Sequence, residues 1–481
     1  MSKSETHLEQ WKQHQGLAEK MIPLVGEIYR EKGIVAQVYG RRLMNSNTID
    51  MIKAHRYSRQ IGGEEVNISS TFEMLDVMNQ MPLEGPARVD IGKLARNYNP
   101  SDHGSIKQYL NAELTTILEQ NRTLGSGARD IVLYGFGRIG RLLARLLIER
   151  TGSGNKMRLR AIVVRNKGKG DLEKRASLLR RDSVHGPFNG SIVVDHESKA
   201  LIANGTFVQM IYANSPDEVD YTAYGIDDAL IVDNTGIWRD EKGLSLHLKA
   251  KGASKVLLTA PAKGDTIKNI VYGVNEKELN ADEKIVCAAS CTTNAIVPVL
   301  KVVNDAYGIE NGHLETVHSY TNDQNLIDNF HEADRRGRSA ALNMVITSTG
   351  AAKAVAKALP ELGGKLTGNA IRVPTPNVSL AVLNLNLSKP TTKEALNSLL
   401  GSVAVNSSLQ NQIGFTASTE LVSSDLIGDT CAGTVDSVAT IVEGTRCVLY
   451  VWYDNEYGYS SQVIRLMQEM SGLNIINLPI Q

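Results

Sequence analysis

Apolar residues at Leu8, Trp11, Leu17, Met21, Leu24, Val25 and Ile28 recur at roughly helical spacing, with Lys12, Lys20, Glu27 and Arg30 left for the outer face. This predicts a helix over 8–34. Further helices are predicted over 48–55, 70–78 and 105–124, divided by turn-rich pieces at Gly62-Gly63, 82–86 and 97–104. The basic pairs Arg41-Arg42 and His55-Arg56 read as solvated helix faces, and Gly125-Ser126-Gly127 reads as a linker. From Asp130 the pattern changes. An apolar run, 131–134, leads into a helix with Ile139, Leu142, Leu143, Leu146 and Leu147 on one face. Further apolar runs at 158–164, 229–232, 255–258 and 284–289 alternate with helical patterns, which predicts a parallel, doubly wound sheet. After Pro376 the segment 377–387 alternates apolar and polar positions and 446–453 is strongly β-forming, so a mixed or antiparallel sheet comes next. A closing helix is predicted over 458–470.

A chain of 481 residues has room for about three domains. Lys+Arg 52 against Asp+Glu 52 leaves no net charge, and nothing global points to nucleic acid or an anionic membrane. The first residues, Met1 to His7, are polar, and no run approaches the ~18 apolar residues of a spanning helix. Four cysteines, with Cys287 and Cys291 four apart, form neither a disulfide framework nor a zinc-ligand pattern. A reduced, cytoplasmic enzyme is the simplest class, and no metal is expected.

The chemistry begins where the first parallel strand ends, at Gly135-Phe-Gly137-Arg138-Ile139-Gly140. A strand running into Gly-x-Gly-x-x-Gly and then a helix is the context of a dinucleotide fingerprint. Gly135 makes the tight turn, Gly137 lets backbone approach a pyrophosphate, and Gly140 permits close packing. The helix start at Arg138 and Ile139 faces the phosphates. The second strand should end in an acid for the ribose diol of NAD, but the run is Val164-Arg165-Asn166-Lys167-Gly168-Lys169. Basic residues there suit the 2′-phosphate of NADP. Asp171 reaches the ribose only if the loop folds back, so cofactor choice stays open between NAD and NADP. The carboxyl edge of this sheet carries Gly135, Thr235, Thr259 and Cys291. Cys291 falls where a strand gives way to a helix over 292–307. There the helix dipole stabilises a thiolate, and Thr292 and Thr293 offer hydroxyls to a phosphate. A buried structural cysteine is the alternative. His318, near the end of a strand beginning at Gly312, is by itself a core histidine; beside Cys291 it becomes a candidate base and thiolate partner.

Six motifs carry a resemblance. They are Tyr-Gly-Phe-Gly-Arg-Ile-Gly at 134–140, Ser-Cys-Thr-Thr-Asn at 290–294, Val-His-Ser-Tyr-Thr-Asn-Asp-Gln at 317–324, Thr-Gly-Ala-Ala-Lys-Ala-Val at 349–355, Arg-Val-Pro-Thr-Pro-Asn-Val-Ser at 372–379 and Trp-Tyr-Asp-Asn-Glu-Tyr-Gly-Tyr-Ser at 452–460. In this order they resemble the phosphorylating glyceraldehyde-3-phosphate dehydrogenases over 129–475, with Tyr134 where that family has Asn. The first 127 residues have no counterpart in the usual enzyme. The resemblance implies a Rossmann NAD(P)-binding domain over 128–290 completed by a C-terminal helix, 458–475, an α+β catalytic domain over 291–457, and a mainly helical extension over 1–127. It implies that Cys291 attacks the aldehyde, that His318 accepts the hydroxyl proton, and that phosphate releases the acyl group from a thioester. Ser290, Thr292, Thr349 and Gly350 match an inner phosphate site, and Thr321 and Arg372 an outer one. Arg336 matches a further phosphate-contacting arginine, although alone it reads as a solvated face. Asn455 and Tyr459 match the nicotinamide pocket and Thr259 the nicotinamide ribose. A homotetramer is implied, with the loop 321–345 crossing to a neighbour.

The departures cluster at the adenosine end. Lys167 stands where the family has Asp, Asn329-Phe330 where it has Leu-Pro, and Asn214 where it has Arg. The second cysteine four residues after the nucleophile is absent. Two other readings of the chain remain, an erythrose-4-phosphate dehydrogenase on the same scaffold and a regulatory or binding protein derived from it.

Overall fold

The computed structural model describes residues 3–118, 128–149, 157–280, 282–473 and 475–479, which divide into two compact units. One comprises residues up to 128 together with those from 472 onward; the other comprises 129–149 and 157–471. The expected linker at Gly125-Ser126-Gly127, and residues 119–124 of the helix expected over 105–124, lie outside the described residues, and within them that helix already stops at Glu113 with a short turn over Thr115–Ile117 after it.

In the first unit the predicted helices are present as Lys3–Lys32, Thr48–Gly62, Ile68–Gln80 and Ile106–Glu113. Asn47, Asn67 and Ser105 cap the last three by accepting backbone N–H bonds in the first turn. The periodicity did not announce a four-stranded sheet in the order Arg41–Arg42, Ile34–Val38, Ala87–Asp90, Ile476–Leu478. Its last strand comes from the other end of the chain and runs parallel to Ala87–Asp90, with Leu478 level with Val89. Alternation explains why it belongs there. Ile34, Ala36, Val38, Ala87, Val89 and Leu478 share one core with Met21, Val25, Ile28, Met74, Leu75 and Met78. The basic pairs differ from their expected placing. Arg41 and Arg42 form a short strand, with the Arg41 guanidinium over the Tyr57 ring. His55 is 2% exposed because its Nδ1 and Nε2 lie 2.7 Å from Met51 O and Thr71 Oγ1; only Arg56 faces out.

In the second unit, among the described residues, nine strands form a sheet in the order Lys268–Asn269, Ile285–Cys287, Ala253–Leu258, Ala229–Asp233, Arg129–Tyr134, Met157–Val164, Thr206–Tyr212, Ala200–Ala203, Ile192–Asp195. All neighbours as far as Thr206–Tyr212 pair parallel. Register aligns the strand ends. Tyr134 and Leu258 both pair with Asp233, and Leu258 pairs with Cys287, so these strands deliver their next residues to one edge. A second sheet of eight strands is mixed. Its centre is Leu366–Val373, Ile309–Ser319, Ser379–Leu387 and Arg446–Tyr453, and it packs against the helix Cys291–Tyr307. The fold is therefore α/β with a doubly wound nucleotide-type sheet, a mixed-sheet half and a helix-rich N-terminal region. The closing helix is Tyr457–Met470, ending five residues before the expected 475, with Ser471 as its C-cap and Gly472 at φ +67°.

Leu478 is 2% exposed, so Leu478→Ala removes buried methyl groups and costs about 2 kcal/mol or more. Hydrogen exchange will then speed at the amides of Ala87–Asp90 and stay unchanged at Arg129–Tyr134. Unaltered protection at Ala87–Asp90 would show that the C-terminal strand does not hold that sheet.

Candidate active site

Cys291 opens the helix Cys291–Tyr307 just after the strand Ile285–Cys287. The turn between them is unusual. Ala289 has φ +55°, a left-handed conformation that a residue with a Cβ adopts only under constraint. Three contacts supply it. Asn294 donates from Nδ2 to Ala288 O at 2.8 Å and to Ser290 O at 2.9 Å, and Tyr459 Oη donates to Ala289 O at 3.0 Å. Ser290 is the N-cap, its Oγ accepting from Thr293 N–H at 3.1 Å. Tyr459, expected in the nicotinamide pocket, thus uses its hydroxyl to fix the cysteine turn.

His318 and Arg372 are level with each other on parallel strands, and His318 Nε2 lies 3.5 Å from Cys291 Sγ. His318 Nδ1 is 2.7 Å from Ser319 O and 2.8 Å from Arg372 Nη1. It can donate to the first or accept from the second, not both. Arg372 Nη1 has Ser319 O as its own acceptor at 3.1 Å, so we place the Nδ1 proton toward Ser319 O. Nε2 then turns its lone pair to the thiol. Burial pushes the Cys291 thiol above its ordinary 9.0, although the Arg372 charge and Thr292 pull it back. Burial first, and Arg372 second, bring His318 down to about 3. The unliganded pair is therefore neutral, thiol beside imidazole. Removing the sulfur from water thus works against the thiolate that the helix start is expected to favour.

The expected anion-binding residues divide into two groups. Thr292 Oγ1 meets Tyr453 Oη at 2.9 Å, and Thr316 Oγ1 meets the same hydroxyl at 2.6 Å, so a buried tyrosine joins the helix to the sheet. Thr349 Oγ1 accepts Ala351 N–H at 3.2 Å, and Gly350 caps the helix Ala351–Ala358, whose Ala351 and Val355 share a core with the cysteine helix. In the second group, Arg372 Nη1 lies 3.4 Å from Thr321 Oγ1, and Arg336 Nη1 donates to Asp323 Oδ2 at 2.7 Å. Thr321 Oγ1 donates to Asp323 as well. Sequence reasoning missed Asp323, although it lies inside the 317–324 motif. Burial raises its carboxyl, but Thr321, Arg336 and Arg372 outweigh that and hold it below the usual carboxylate range.

At the other edge, Gly135 has φ +100°, and a Cβ there would sit 3.0 Å from Thr235 Cγ2. A Cβ on Gly140 would lie 2.5 Å from Gly135 O, whereas one on Gly137 meets nothing within 4 Å. Open space at Gly137 and unpaired N–H groups at the start of the helix Arg138–Glu149 fit a pyrophosphate. The Arg138 side chain turns away from that space. Its Nε donates to Glu456 Oε1 at 2.9 Å and its Nη1 pairs with Asp182, so Arg138 offers backbone rather than charge. Asn455 Oδ1 accepts from Ser379 Oγ at 2.9 Å, leaving its amide N–H groups for a ligand, and Thr259 Oγ1 lies 3.0 Å from Asn234 Oδ1. At the adenosine end Arg165, Lys167 and Lys169 are exposed. Asp171 is not available: Arg175 Nη2 reaches its Oδ2 at 3.0 Å and Lys167 N–H at 3.1 Å, with Arg175 Nε on Oδ1.

A glycine turn on a doubly wound sheet, facing a cysteine–histidine pair on a mixed sheet, defines a nucleotide-dependent oxidoreductase. Residues 129–241 match the family described as glyceraldehyde 3-phosphate dehydrogenase, NAD binding domain, and residues 290–455 its C-terminal domain. The chain belongs to the glyceraldehyde-3-phosphate dehydrogenase family. It is 41% identical over 345 residues to a glyceraldehyde-3-phosphate dehydrogenase of Zymomonas mobilis, covering 72% of this chain and 99% of that one. It is 40% identical over 341 residues to glyceraldehyde-3-phosphate dehydrogenase 1 of Bacillus subtilis, covering 70% and 97%. A glyceraldehyde-3-phosphate dehydrogenase-like protein of Pseudomonas aeruginosa is 58% identical over 457 residues, 94% of this chain and 99% of its own. That alignment is longer than 129–481, so it extends into the N-terminal unit as well.

The neutral pair sets a pH expectation. A thiol held above 9.0 makes alkylation of the unliganded chain by iodoacetamide climb with pH through 7–9 without a plateau. Arg372→Gln removes the charge that lowers the thiol pKa and will slow alkylation at pH 8 by about threefold or more. A plateau near pH 6 would mean a preformed thiolate instead.

Proposed function

We propose that the chain oxidises glyceraldehyde 3-phosphate with a nicotinamide dinucleotide and inorganic phosphate, reversibly, to an acyl phosphate through a thioester on Cys291. The observation that carries this reading is Cys291 Sγ 3.5 Å from His318 Nε2, with Arg372 and Thr321 beside the histidine. Cys291 adds to the aldehyde carbon while Nε2 takes the thiol proton. That nitrogen hands the proton to the carbonyl oxygen to complete the hemithioacetal, and takes it back from the hydroxyl as the hemithioacetal becomes a thioester. When bound, the nicotinamide supplies the hydride acceptor. The backbone N–H groups at the start of Cys291–Tyr307 face the developing oxyanion. Ser290, Thr292, Thr349 and Gly350 take one phosphate, and Thr321, Arg336 and Arg372 the other, with Asp323 holding Arg336 in place until a phosphate arrives. Asn455 orients the carboxamide through its free amide hydrogens, and Tyr459 acts one step back through Ala289 O.

We further propose that NADP is accepted at least as well as NAD. Both carboxylate oxygens of Asp171 are bonded, and the loop it pins presents Arg165, Lys167 and Lys169 to solvent, cations suited to a 2′-phosphate. Lys167→Asp will move the ratio of kcat/KM for NADP to that for NAD by about tenfold toward NAD. An unchanged ratio would remove the basic loop from cofactor choice.

The loop 321–345 leaves Phe330 88% and Leu342 82% exposed, with Leu326, Ile327 and Met344 also outward. Apolar side chains exposed together on one loop support assembly with further copies, as a homotetramer. No described helix is long and apolar enough to cross a membrane.

Cys291→Ser will lower turnover by about 10³-fold or more, since an alkoxide at that site has no comparable base-assisted route to an activated acyl ester. Steady-state rates with glyceraldehyde 3-phosphate and erythrose 4-phosphate, each with and without inorganic phosphate, separate the two reactions. The proposed reaction requires phosphate; equal rates without it would assign the chain to hydrolysis.

A further inference from the structure

Beneath the carboxyl edge of the nine-stranded sheet lies a second ionisable pair that the chemistry above does not use. Asp233 ends the strand Ala229–Asp233, and His247 opens the turn His247–Lys249. Both are completely buried, with His247 Nε2 2.9 Å from Asp233 Oδ2. Facing a carboxylate, Nε2 is the nitrogen that carries the proton. Tyr134 and Trp238 close around the imidazole edge-on, at ring separations of 4.8 and 5.9 Å. Tyr134 is the residue that stands where the family's glycine motif has Asn.

A buried carboxylate is costly unless every lone pair has a use, and here the second oxygen is the informative one. Asp233 Oδ1 accepts both the N–H and the Oγ1–H of Thr235, each at 2.7 Å. The carbonyl of the same residue accepts Thr259 N–H and Oγ1–H, each at 3.0 Å. Asn234 N–H donates to Tyr134 O at 2.8 Å, and the turn so held is the floor on which Gly135 packs, since a Cβ on Gly135 would strike Thr235. Asp233 therefore ties the 234–236 turn to Thr259 directly, and Asn234 and Thr235 set that turn against the glycine turn.

We propose that Asp233, held in its rotamer by His247, is a positioning residue for dinucleotide binding. Its carboxylate fixes Thr235, and through Thr235 it sets the depth and orientation of the glycine turn. The proposal rests on the reading of this edge as the dinucleotide site. It places the requirement on Oδ1 as an acceptor and on His247 as a donor to Oδ2, and not on a charge felt by the ligand.

The test is fluorescence titration of the full chain with NADH and with NADPH. Asp233→Leu keeps the branching of the side chain and removes both acceptors; the Kd for each dinucleotide should rise about tenfold or more, the scale of one lost charge-assisted hydrogen bond. Cys291 alkylation and kcat at saturating dinucleotide should stay within about twofold, a split that general loosening of the fold would not give. Asp233→Asn, whose Oδ1 still accepts from Thr235 but which offers His247 no Oδ2, should bind about as well as His247→Leu and several-fold more tightly than Asp233→Leu. His247→Leu leaves Asp233 chemically intact and keeps the question open to test if Asp233→Leu does not fold. Its Kd should rise by about threefold or more, and His247→Gln, which donates to Oδ2, should restore it. Folded Asp233→Leu or His247→Leu protein with unchanged Kd would overturn the proposal, as would Asp233→Asn binding as weakly as Asp233→Leu. A starting chain that binds neither dinucleotide would overturn the dinucleotide reading itself.

Discussion

The left-handed turn at Ala289 is the constraint on which the reacting centre depends. A backbone that left the strand Ile285–Cys287 without it would carry the following helix past the sheet edge, and Cys291 would point elsewhere. The conformation is unfavourable by itself, of order 1–3 kcal/mol for a residue with a side chain. Asn294 holds it from within the helix, and Tyr459 holds it from the closing helix, 170 positions away. The closing helix is thus part of the catalytic half's geometry and not only a cover for the nucleotide half.

Register does for the rest of the site what that turn does for the cysteine. His318 and Arg372 lie side by side because two parallel strands pair residue for residue, and the dinucleotide edge is level because Tyr134, Asp233, Leu258 and Cys287 stand opposite one another. The electrostatics are then a consequence of burial. Burial disfavours the charged forms of both the sulfur and the imidazole, and Arg372 opposes it at the thiol while adding to it at the histidine.

Much of this was legible in the chain. Strand, glycine turn and amphipathic helix at 129–149 come from period and composition, and the cysteine at a strand–helix junction needs only the apolar run before it. Other parts were not. Asp171 looked available for a ribose, yet Arg175 one helical turn later, at the i,i+4 spacing of an ion pair, claims it. Arg138 opens the helix expected to face the phosphates, but nothing near it in sequence shows that its side chain is held by Glu456, 318 positions on. The strands Ile34–Val38 and Ala87–Asp90 escaped notice because they are short and sit among helical periodicities, and their third neighbour lies at the opposite terminus. Local pattern fixes local elements; partners that meet only in three dimensions leave no mark in a window of a dozen residues.

The strand Ile476–Leu478 has a consequence for how the chain is made. Domains generally fold in the order in which they leave the ribosome, the N-terminal one first. Here the N-terminal unit emerges with three of its four strands and an apolar row, Ala87 and Val89, lacking its neighbour on one side. It stays in that state while some 350 further residues are synthesised. Completion of this sheet therefore waits for residues 476–478, and a chain that stops short of them leaves the edge beside Ala87–Asp90 open. Such an edge pairs readily with other strands, so the C-terminal strand also protects the N-terminal unit from wrong partners.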